Sequence, residues 1–136
     1  MTKTYLALAA ALSTLPNPSF AAENDPCAAL AGLVHQARND FHSLKIKKFD
    51  SGICLFRAKE FRCSWSFPSD SFSTAEAQAL RVRQCALALP GVTATSARKG
   101  ETGFTLEDDL SLFVAGPESD MGNYNVRLRL VETPLK

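Results

Sequence analysis

Four cysteines in a chain of 136 residues constrain the fold more than any other feature. They stand behind an amino-terminal segment that reads as an export signal. Lys3 supplies its positive start, and Tyr5 to Leu15 (YLALAAALSTL) is an apolar run of the length a signal core needs. Pro16 and Pro18 end any helix there, and Ser19-Phe20-Ala21 offers small residues at the two positions a signal peptidase reads. A membrane span needs roughly 20 apolar residues, about twice this run. The expected division is a secretory signal over residues 1–21 and one domain over 22–136. The expected location is the periplasm or the medium, with no membrane span in the mature chain.

Outside the cytoplasm, an even number of cysteines reads as disulfides. Ile53 to Arg57 and Phe61 to Phe67 form two alternating runs joined by a tight connection at Ala58-Lys59. If Phe56 faces Phe61, then Cys54 faces Cys63, and Trp65 and Phe67 point the same way. One register thus yields an apolar face and a cysteine pair at bridging distance. Cys54 is therefore expected to pair with Cys63, leaving Cys27 with Cys85. Ala58-Lys59 lacks the Asn-Gly chemistry of a two-residue hairpin, and a four-residue loop would keep the same register.

The remaining elements follow from periodicity and punctuation. Asp25-Pro26 opens a helix, with Cys27, Leu30, Val34, Ala37 and Phe41 as its apolar stripe. Ser73-x-x-Glu76 has capping-box spacing for a second helix, with Ala75, Ala79, Val82, Ala86 and Leu89 inward and Pro90-Gly91 as its stop. Strands are expected over Val92–Arg98, from Phe104 through Leu106, Leu110, Leu112 and Val114, and over Val126–Leu130. Asp108 interrupts the middle one at a bulge, and Gly116–Asn123 is a polar loop. The order α-β-β-α-β-β-β predicts an α+β two-layer domain, an antiparallel sheet with two helices on one face and two disulfides. The helix-hairpin pattern occurs twice, but without residue-level similarity, so a single continuous sheet is the expectation.

The formal charge of +1 becomes zero once Lys3 leaves with the signal, which argues against a nucleic-acid partner. The charge is unevenly spread. Arg38 to Arg62 holds seven basic and three acidic side chains, whereas Glu101 to Asp120 holds six acidic and none basic. Mutual attraction within one fold is the simpler explanation. In particular, if Leu110 faces Leu128, then Asp109 faces Arg129 as a cross-strand ion pair.

No motif in the sequence assigns a reaction class. His35 and His42 lie about 10.5 Å apart along a helix axis, too far to share a metal ion unaided. Neither a nucleophile elbow, a phosphate-cradling glycine loop nor a zinc-protease helix occurs, and Cys-x-x-Cys spacing is absent. No metal, cofactor or catalytic residue is assigned. The expected function is non-enzymatic binding of another macromolecule, a protein or envelope component, as in an envelope accessory factor or an inhibitor of a secreted enzyme. The contact residues would be Glu118, Asp120, Met121 and Tyr124 in the polar loop, with Lys45, Lys47 and Lys48 as a second patch. The alternative is a small-ligand binder using Phe56, Phe61, Trp65, Phe67 and Phe72 around a cleft. A hydrolase without a recognisable motif ranks third.

Overall fold

The structure, a computed structural model, describes residues 25–57, 59–96, 100–107 and 109–132. The signal segment lies outside the described residues.

Helix α1, Pro26–Asn39, starts where Asp25 accepts a hydrogen bond from the Cys27 amide. It buries Leu30, Leu33, Val34 and Ala37, and Phe41 continues the stripe from a short 3-10 turn, Phe41–Ser43. Three strands follow: β1, Lys48–Phe49; β2, Gly52–Arg57; and β3, Glu60–Pro68. Helix α2, Phe72–Leu87, buries Ala75, Gln78, Ala79, Val82, Cys85 and Ala86. It begins before the expected capping box. Ser71 is its cap residue, makes no side-chain cap bond, and leaves Ser73 inside the first turn. Then come β4, Thr93–Ser96; β5, Glu101–Leu106; β6, Leu110–Asp120; and β7, Asn123–Glu132.

The seven strands form one antiparallel sheet in the order β1-β2-β3-β7-β6-β5-β4. Both helices pack on the same face, so the two-layer α+β arrangement is present. A single core joins Leu30 and Phe41 to Phe61, Phe104, Leu112 and Leu128. Cys54 faces Cys63, Phe56 faces Phe61, and both expected disulfides, Cys54–Cys63 and Cys27–Cys85, are formed.

The strand count differs from expectation, for physical reasons. β1 is two residues long, too short to show alternation. The expected strand from Phe104 to Val114 is a hairpin. Leu106 faces Leu110, and the chain reverses between them at Glu107 and Asp109, the latter at φ 61°. Asp108, read as a bulge, lies outside the described residues. The bulge sits instead between Ala115 and Glu118, beside the cis Gly116–Pro117 bond. The expected polar loop is not a loop either. Glu118–Asp120 pairs with Asn123–Asn125, and only Met121 and Gly122, at φ 51° and 86°, make the turn. Those left-handed dihedrals match the strand twist that a two-residue hairpin requires.

Arg57 faces Glu60, so the β2–β3 connection is the two-residue loop, without a longer one. Lys59 takes φ 68° there, a region where a Cβ is strained. Lys59→Gly should therefore raise the unfolding free energy by about 0.5–1 kcal/mol, measured by urea titration.

Candidate functional site

The helices cover one face of the sheet and leave the other open. Because antiparallel partners point the same way, the strand registers lay out the open face as rows. One row runs Lys48, Ile53, Ser64, Arg127, Ala115, Glu101. The next runs Leu55, Arg62, Arg129, Phe113, Gly103, Thr95. A third runs Arg57, Glu60, Val131, Ser111, Thr105, Thr93.

An ionic ladder crosses the middle of this face. Arg62 and Arg129 are directly opposed, and Glu60 joins them, accepting from Arg62 Nε at 3.0 Å and from Arg129 at 2.8 Å. Arg129 turns its other edge to Glu101, with two bonds of 3.0 Å, and lies 4.5 Å above the Phe113 ring. Partial burial pulls the Glu60 pKa up, but the hydrogen bonds from Arg129 and Arg62 outweigh it and hold the carboxyl below the ordinary range. Burial likewise works against the Arg129 charge, and the bonds to Glu60 and Glu101 overcome it. The expected Asp109–Arg129 pair is not formed. Leu110 faces Glu132, which places Phe113 opposite Arg129 and leaves Asp109 in the turn.

At the β2 end the face changes character. Ile53 is 69% exposed and Leu55 49% exposed, two residues apart on one strand. Leu55, Arg57, Glu60 and Arg62 line a hollow of about 280 Å³. A wider hollow of about 590 Å³ lies alongside, lined by Ser51, Ile53, Ser64, Ser66 and the flanks of Trp65 and Phe67. Lys48 stands beside Ile53, and Arg57 two residues beyond Leu55. Among the described residues, neither Lys48 nor Arg57 forms an ion pair. Lys45 and Lys47 are exposed on the approach to β1, whose edge is fixed by the Cys54 amide donating to the Lys47 carbonyl at 2.8 Å.

Of the residues expected to form a contact loop, Glu118 and Asp120 share a hollow of about 400 Å³ on the β6–β7 hairpin with Ser119, Asn125 and Arg127, while Tyr124 pairs with Ser119 on its other face. Glu118 is bonded to Arg127, and Tyr124 packs edge-on against Phe72 at 5.1 Å. Asp120 is exposed, and Met121 is 96% exposed at the tip. The two acidic side chains Glu101 and Glu118 are thus answered by Arg129 and Arg127 of β7, not by the basic stretch from Arg38 to Arg62.

Trp65 is only 5% exposed. Its Nε1 donates to the Asp50 carbonyl at 2.8 Å, Phe49 packs on the ring at 5.9 Å, and a Cβ on Gly52 would stand 2.6 Å from it. The Asp50 turn is in turn held to α2 by Gln78 and Arg81. These contacts make the aromatic group core. Phe72 alone among it is exposed as a large hydrophobic. His35 and His42 are both exposed, and α1 ends between them. Among the described residues no group of histidine, cysteine and carboxylate side chains could hold a metal ion.

Sequence reasoning named Lys45, Lys47 and Lys48 but missed Ile53, Leu55 and Arg57. Leu55 was legible as an apolar residue on the otherwise polar face of the hairpin. That exception was the signal.

The fold and the open face define a two-disulfide, two-layer α+β domain with a bare sheet surface. Compared with protein-family models, curated proteins and solved structures, the chain matches none. Among the described residues no helix is long and apolar enough to cross a membrane. The two disulfides are consistent with an oxidising environment.

Proposed function

We propose that this is an exported, disulfide-braced, non-catalytic protein that binds another macromolecule on the open face of its sheet. One observation carries the reading: Ile53 and Leu55 are exposed side by side on a face whose other exposed side chains are charged or polar. Burying a half-exposed leucine and isoleucine is worth about 1–3 kcal/mol each to an interface. The signal segment and the disulfides support export, with the periplasm or the medium as destination. The ligand-cleft alternative has one observation behind it, the hollow of about 590 Å³ that Trp65 and Phe67 help to line, but the Trp65 ring itself is 5% exposed and packed on its own chain.

The test is capture of partners by the mature, oxidised chain from its native envelope or culture fluid. Ile53→Asp with Leu55→Asp should abolish capture while the thermal midpoint moves by no more than a few degrees. Met121→Ser with Asp120→Ser serves as the control at the hairpin tip. Loss of capture with the control pair alone would move the binding surface to the tip and sink this assignment.

A further inference from the structure

We infer, resting on the reading of the open sheet face as a docking surface, that this face takes an extended, acidic segment of a partner protein, whose alternate apolar side chains sit over Ile53 and Leu55.

Shape is the first argument. The two hollows follow one another at a two-residue step along β2, the repeat at which an extended chain presents side chains to one side. Charge is the second. Arg62 and Arg129 are answered by Glu60 and Glu101, but Lys48 and Arg57 are not answered among the described residues. Lys48 stands across from Ile53 at the sheet edge, and Arg57 lies two residues beyond Leu55 along β2. A segment with carboxylates flanking its apolar residues therefore meets one cation beside Ile53 and another beyond Leu55, which steers encounter and fixes register. Depth is the third argument. Leu55 is shorter than the Arg57 and Arg62 side chains that share the walls of its hollow. An apolar side chain from an extended partner enters a hollow of this size, whereas a flat lipid surface lies across it.

The test uses the mature oxidised chain and fluorescein-labelled heptapeptides, followed by anisotropy at low and raised salt. The first peptide alternates aspartate and leucine; a second has serine for leucine, and a third has lysine for aspartate. The first should bind at least about tenfold more tightly than either control and weaken as salt rises. Lys48→Gln with Arg57→Gln should remove that advantage, and Leu55→Ser should do so independently. The partner captured from the envelope should show the same losses. If capture needs Leu55 but is indifferent to Lys48 and Arg57, and the acidic peptide shows no preference, the acidic occupant is refuted while the docking face stands. If capture survives Leu55→Ser and Leu55→Asp, both fall. Binding to phosphatidylglycerol vesicles that needs Lys48 and Arg57, with no peptide preference, would replace the protein segment by a lipid surface.

Discussion

Replacing Cys27 and Cys85 together by alanine is expected to lower the unfolding free energy by about 4 kcal/mol. The bridge spans 58 residues, and the entropy removed from the unfolded chain grows with the logarithm of that length. The Cys54–Cys63 bridge spans 9 residues, and the same relation gives it roughly 2.5 kcal/mol. The order of the two losses is therefore fixed by loop length. For a domain of this size the larger loss shifts the thermal midpoint by roughly 15–20 °C. The effect has a local side as well. α1 belongs to no strand ladder, and the bridge fastens its first turn to the last turns of α2. Amide exchange in α1 should accelerate more than exchange in β6 and β7, which pair along most of their length. Urea titration of the two double variants checks the ranking. An equal or larger loss from the short bridge would overturn it.

Arg129→Met is the other substitution with a large expected cost, about 2–3 kcal/mol near neutral pH. The Arg129 side chain is 15% exposed and serves two carboxylates at once. Methionine keeps much of the bulk over Phe113 but leaves Glu101 without that cation and Glu60 with Arg62 alone. The pH dependence gives a second reading of the same ladder. Glu60 has a folded pKa below its unfolded one. Its stabilisation is thus complete above the unfolded value and is lost as pH falls through the folded one. The wild-type chain should lose stability on that acid limb. In the variant Glu60 keeps Arg62 alone, so protonating it costs less. The gap between wild type and variant should narrow from about pH 7 to about pH 4. Urea titrations at the two pH values measure it, and a gap that widens would contradict the ladder.

The rest of the chain divides by what periodicity can and cannot carry. Alternation assigns a side chain to a face, and it did so for Cys54, Phe56, Phe61, Cys63 and Trp65. It says nothing about slips of an even number of residues, because those keep every side chain on its face. Leu110 facing Leu128 and Leu110 facing Glu132 differ by such a slip. The Met121-Gly122 turn and the Ala115/Glu118 bulge choose between them. The same parity hid the β5–β6 turn. Three residues separate Leu106 from Leu110, so the apolar rhythm runs through the reversal unchanged. The candidate site was half legible for a related reason. Lys45, Lys47 and Lys48 stand out as a run, whereas Leu55 is one apolar residue on a polar face.

By itself, then, the sequence determined the two helices, the Cys54–Cys63 register, both disulfide pairings and the face to which the residues of the β2–β3 hairpin belong. These follow from local spacing: capping chemistry, helical and strand periods, and the reach of a disulfide. Only the tertiary structure decided that β3 and β7 meet at the centre of the sheet, that Arg129 answers Glu60 and Glu101, and that the face carrying Ile53 and Leu55 stays uncovered. Those outcomes depend on which strands become neighbours and on which side both helices settle. Long-range pairing sets both, and no period of two or 3.6 residues records it.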